Sequence, residues 1–112
     1  MAIVLRKKAT ADLTSAALAQ TFEFQYDVEL VAVLLHASEA ITETVSVTFD
    51  SKDGANYDTL LDSTDLTAET DYVFRPTEPQ VFQKGDKVSA ACTNANTTGS
   101  VYLTVLVRSL HA

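Results

Sequence analysis

A chain of 112 residues with fifteen acidic and eight basic side chains carries a formal charge of -7. The length fits one domain, and the acid excess excludes a general nucleic-acid surface, because neutralising phosphates needs clustered Lys and Arg. One Cys, three Gly and two Pro exclude a disulfide-stapled mini-domain, a collagen-like chain and a low-complexity chain.

At the N-terminus Ile3, Val4 and Leu5 precede the basic cluster Arg6-Lys7-Lys8. A secretory leader has the reverse order, so the sequence predicts synthesis in the cytoplasm without a cleaved leader. The longest purely apolar run, Leu30 to Leu35, is six residues, against the roughly 20 that a membrane-spanning helix needs. No membrane partner is expected. Ala11 to Ala19 is open to two readings: its Ala and Leu content suits a helix, while Thr10, Thr14 and Ser15 suit an extended arm.

From residue 20 onward strict alternation dominates. Phe22, Phe24 and Tyr26 share one face of a run whose other face is Glu23, Gln25 and Asp27. Val28 to Ala37 follows, and Leu30 to Leu35 leaves neither face polar, as in a central strand covered on both sides. In a two-layer sandwich the second cover is a subunit interface or an overlying N-terminal arm. Val45, Val47 and Phe49 alternate with polar residues up to the turn Ser51-Lys52-Asp53-Gly54. Tyr57 to Leu61 reads as a short strand, Asp62 to Thr70 as a polar loop, and Tyr72-Val73-Phe74 as a strand stopped by Pro76 and Pro79. Lys84-Gly85-Asp86 turns into a strand over Lys87 to Thr93, and Asn94 to Gly99 leads to the last strand, Val101 to Arg108. Its nominally outer face carries Tyr102 and Leu106, which also want a cover.

About eight short strands without a long helix predict an all-β fold. The expected form is a single-domain, antiparallel, jelly-roll-like β-sandwich over residues 20–112, preceded by an N-terminal strand or arm over residues 1–19.

Few residues suit catalysis. Cys92 shares a strand face with Val88 and Ala90 and reads as a small buried hydrophobe. His36 reads as a strand-end histidine with a backbone partner, and His111 as solvated. These three are all the Cys and His in the chain, too few for a closed zinc site. Nine carboxylates lie between Glu39 and Asp71 against Lys52 alone. Asp50 to Gly54 starts like a calcium loop, but Lys52 stands at its third position and Gly54 at its fifth instead of its sixth. A solvated acidic face is the simpler reading, with Ca²⁺ or a glycan as the alternative there. Tyr57, Tyr72 and Tyr102 are the available sugar-stacking rings. The expectation is therefore no enzyme, no cofactor and no metal.

The stretches Glu29-Leu-Val-Ala-Val-Leu-Leu-His36, Thr44-Val-Ser-Val-Thr-Phe-Asp-Ser51, Gly54-Ala-Asn-Tyr-Asp-Thr-Leu-Leu61 and Gln83-Lys-Gly-Asp-Lys-Val-Ser89, with Asn94, carry a resemblance. Over residues 20 to 108 the chain resembles small β-sandwich structural proteins of tailed bacteriophages. The resemblance implies a virion location and a role in capsid decoration (cement) or as a neck or tail accessory subunit. Its partners would be the major capsid protein or other virion proteins, and it would work as a homo-oligomer, a trimer or ring. A carbohydrate-binding or receptor-binding sandwich is the alternative. The residues expected to meet a partner are Arg6, Lys7 and Lys8 on the N-terminal segment, Val31, Val33 and Leu35 on the two-sided strand, and Tyr102 and Leu106 on the last strand.

Overall fold

The alternating runs become strands whose apolar faces meet between two sheets. The computed structural model describes residues 3–110. Within them lie nine strands: β1 (Val4–Asp12), β2 (Leu18–Glu23), β3 (Val28–Ile41), β4 (Thr44–Asp50), β5 (Thr59–Asp65), β6 (Glu69–Phe74), β7 (Val81–Phe82), β8 (Lys87–Cys92) and β9 (Ser100–Ser109). A single 3-10 turn, Ala55–Tyr57, interrupts the β4–β5 connection. One sheet has the order β1-β9-β3-β6, with β7 also pairing β3, and the other has the order β2-β8-β4-β5. All pairings are antiparallel.

The pairs β1·β9, β2·β8, β3·β6 and β4·β5 are nested rungs of one long hairpin that closes at the β4–β5 turn. That hairpin rolls up so that β9 also pairs β3 and β8 also pairs β4. With β7 set aside as a two-residue addition, this is the eight-strand, double-sheet arrangement of a jelly roll. The all-β sandwich expected from alternation is what the chain forms.

Inward parity is as the pattern predicted on β4, β8 and β9. Val45, Val47, Val88, Ala90, Cys92, Val101, Leu103, Val105 and Val107 are all buried. Phe82 closes one end of the core, meeting Phe24 and Phe49 edge-on with centroids 5.4 and 4.9 Å apart. Each such side chain contributes about 1.5–3 kcal/mol by leaving water.

Three segments differ from the sequence reading. Residues 13–17 form the turn between β1 and β2, and neither a helix nor a free arm occurs there. β1 itself pairs with β9 from Val4↔Arg108 to Asp12↔Ser100, so it is an edge strand of the sandwich. The strand expected at 57–61 runs instead from Thr59 to Asp65, so Asp62 lies in a sheet and not in a loop. Its carboxylate accepts the Tyr72 hydroxyl at 2.5 Å and the Thr64 hydroxyl at 2.9 Å, which is what permits an acid on a core-facing register position opposite Val47.

The largest difference is in β3. Leu30 pairs with Val107 and Ala32 with Leu106, leaving Val31 as the extra residue of a β-bulge. A bulge shifts side-chain parity by one, so Val28 and Leu30 face the core before it, and Val33, Leu35 and Ala37 after it. The two-sided apolar run is two one-sided strands joined out of phase. Val33 and Leu35 therefore cannot belong to a partner surface: both are core residues, 0% and 2% exposed. Leu34 takes an outward, half-buried position instead, and Ala32 is outward in register but wholly covered by its neighbours.

Candidate interface

The outer face of the β1-β9-β3-β6 sheet is built from cross-strand rows. One row reads Arg6, Leu106 and Ala32; the next Lys8, Thr104, Leu34 and Val73; the third Thr10, Tyr102, His36 and Asp71. Its middle is apolar. Tyr102 and Val73 are about half exposed, at 48% and 56%, and Leu34 and Leu106 are half-buried. Val31 is half-buried at the bulge beside them.

Polar pairs frame this strip. His36 Nδ1 and Asp71 Oδ1 lie 2.8 Å apart across β3 and β6, and Arg108 Nη1 donates to Glu29 Oε1 at 3.1 Å. Hydrogen bonds from His36 and from the Thr70 hydroxyl hold the Asp71 carboxyl below its ordinary range. His36 thus has a cross-strand carboxylate for a partner instead of the backbone group expected. Arg6, Lys7 and Lys8 are exposed along β1 and form no ion pair among the described residues.

Two buried carboxylates organise the ends of the sandwich. Glu43, in the two-residue crossover from β3 to β4, accepts the Thr93 hydroxyl at 2.7 Å and the amides of Ala95 and Asn96 at 2.9 and 2.8 Å. Burial opposes its charge, but these donors outweigh burial and hold its carboxyl below the ordinary range. The same crossover receives Asn96 Nδ2 on the Thr42 carbonyl, Leu66 N–H on the Glu43 carbonyl and Ala68 N–H on the Thr42 hydroxyl. At the other end Asp86 accepts the Lys52 amide at 2.9 Å and the Gln83 amide at 2.7 Å. The Asp50–Gly54 turn is thus stapled by Asp86, and by Asp58, which accepts the Ser51 amide. Sequence reading missed both staples: only the Gln83 amide is local to its carboxylate, whereas the Lys52 amide lies 34 positions from Asp86 and the Thr93, Ala95 and Asn96 donors lie 50 to 53 positions from Glu43.

The remaining candidates do not converge. Cys92 is buried in the core, and burial, then the nearby Glu43 carboxylate, pushes its thiol up to about 11. His36 is on the outer face of the other sheet and does not face that sulfur. In native protein at about pH 8, iodoacetamide should label Cys92 roughly a hundredfold more slowly than in denaturant; intact mass over time reads this, and equal rates would refute the buried thiol. Tyr72 is buried, with burial and Asp62 raising its hydroxyl, whereas Tyr102 is exposed on β9 and Tyr57 is exposed at the end of the 3-10 turn between β4 and β5, so the rings belong to separate elements. Among the described residues no three His, Cys, Asp or Glu side chains gather as a metal-holding group, and no helix is long and apolar enough to cross a membrane. His111 lies outside the described residues.

A jelly-roll sandwich with an apolar strip on one outer face is the class that fold and surface define. No family model matches the sequence, and no curated protein matches it either. Solved structures do. A chain of the acid-stable capsid of the Helicobacter pylori bacteriophage KHP30 is 18% identical, with 96% of this chain and 95% of that chain covered and a TM-score of 0.51. The Drosophila NLP core, described for pentamer formation and histone binding, is 17% identical over 90% of this chain and 95% of that chain, with a TM-score of 0.48. A chain of infectious bursal disease virus, Gx strain, is 11% identical over 96% of this chain and 38% of that chain, with a TM-score of 0.32. The likeness to the phage capsid chain is one of fold.

Proposed function

We propose that this chain is a non-enzymatic structural subunit of a virus particle. It works as a homo-oligomer and fastens neighbouring virion proteins, as a capsid decoration (cement) protein or as a neck or tail accessory subunit. The apolar strip of Leu34, Val73, Tyr102 and Leu106 on the outer sheet face carries this reading. Such a strip framed by charged pairs has the anatomy of a protein contact, an apolar centre within a polar rim. The jelly-roll fold shared with a phage capsid chain supports the same role, although fold by itself assigns none. Fastening would be mechanical: contacts across capsomer boundaries resist outward pressure.

The test uses particles of the encoding virus made with and without the chain. Loss of the chain should lower the temperature and raise the salt at which particles release their contents. Adding back purified protein should restore both, whereas a folded Leu34→Asp/Leu106→Asp variant should fail to bind. Particles that keep their heat and low-salt stability without the chain would sink the cement role.

A further inference from the structure

The sheet orders place β1 and β2 along one lateral side of the sandwich and β6 and β5 along the other. These two sides carry opposite charge. On the first, Arg6, Lys7 and Lys8 are consecutive and exposed on an edge strand of nine residues and outnumber the exposed acids Asp12 and Glu23 at the strand ends of β1 and β2, and among the described residues the edge facing away from β9 pairs with no strand. On the second, Asp58, Asp65, Glu69 and Asp71 are exposed and Asp62 is half-buried, and no Lys or Arg occurs between Asp53 and Arg75.

We propose that a second copy of this chain docks here, the β1 side of one protomer against the β5/β6 side of the next. This deepens the oligomeric part of the reading above and rests on it, but it needs no particle. The simpler account of the lysines is that they guard an edge strand against aggregation, and Lys7 fits it: it occupies a core-facing register position opposite Val105 yet is exposed at the rim. A guard alone calls for no counterpart. The acidic opposite side supplies one, and the two sides are opposite in sign and similar in length, nine residues of β1 against seven of β5 and six of β6.

Because the two surfaces differ, the contact is heterologous: each protomer uses its basic side once and its acidic side once, so copies propagate head to tail until the turn between them closes a ring. Side-chain charges on edge strands are screened beyond about 8 Å at physiological salt, so the attraction acts only in direct apposition and weakens as salt rises.

Sedimentation velocity of the purified chain tests this at about 50 mM and about 500 mM salt. The wild type should associate at low salt and weaken by at least about tenfold at high salt. Lys7→Glu/Lys8→Glu and Glu69→Lys/Asp71→Lys should each be monomeric while melting as folded proteins, and mixing the two variants should restore association. A wild type that stays monomeric up to about 100 µM at low salt would overturn the proposal. So would charge-reversed variants that associate like the wild type, or folded variants that ignore each other when mixed. Failure here leaves particle binding through the outer sheet face untouched, so the two readings fall separately.

Discussion

Aspartate at position 33 is expected to unfold the chain, whereas aspartate at the neighbouring position 34 leaves it folded. Val33 is wholly buried, opposite Val105 in the core. Replacing it forfeits about 2 kcal/mol of apolar burial and adds several kcal/mol for an unpaired carboxylate without a hydrogen-bond donor. That sum rivals the whole stability of a typical domain, about 5–15 kcal/mol. Leu34 faces outward between Thr104 and Val73, and a carboxylate there keeps its water, so the expected cost is about 1 kcal/mol. Far-ultraviolet circular dichroism and urea titration of the two variants read the contrast. The reverse order, or equal damage, would refute the change of side-chain parity at Val31.

Replacing Glu43 with alanine comes next in size. Three donors lose their acceptor together, two of them backbone amides that anchor the β8–β9 loop to the β3–β4 crossover. Bonds to a charged acceptor are worth about 1.5–3 kcal/mol each. An open cleft lined by Thr42, Thr44, Asp65 and Thr93 adjoins the carboxylate, so water replaces part of what is lost. The net destabilisation expected is about 2–3 kcal/mol. The pH dependence has a definite sign. A carboxyl held below its unfolded value contributes stability that is present above the unfolded value, about 4.3, and is lost as pH falls through the folded one. Wild-type melting temperature should therefore fall with acid in that window, and a Glu43→Gln variant should show a shallower fall. An unchanged slope in the glutamine variant would remove Glu43 from the acid response.

These two positions also mark where sequence reading succeeds and fails. Alternation at Val45, Val47, Val101, Leu103, Val105 and Val107 is a local property, and it named the core face of β4 and β9 correctly. Along β3 the apolar run hides its own break. Val31, Ala32 and Val33 are all apolar, so nothing in their chemistry marks the residue at which parity changes, and only pairing with β9 reveals it. Hence the sequence pattern points Val33 and Leu35 to the partner surface and passes over Leu34. Tyr102 and Leu106 kept their outward assignment because β9 has no bulge. Glu43 and Asp86 were illegible for another reason: a carboxylate that binds backbone amides needs no particular side chain at the other end of the bond.

The nested hairpin sets an order on how the chain can be assembled. Phe49 pairs with Thr59 across ten positions, whereas Val4 pairs with Arg108 across 104. Closing the outer rung directly from an extended chain costs about 2 kcal/mol more in loop entropy than closing the inner one, by the logarithmic dependence on loop length. Once β4·β5, β3·β6 and β2·β8 are in place, most of that loop is already folded up and the surplus vanishes. Loop entropy therefore favours pairing that zips outward from the β4–β5 turn, with the basic edge strand β1 the last piece to lie down.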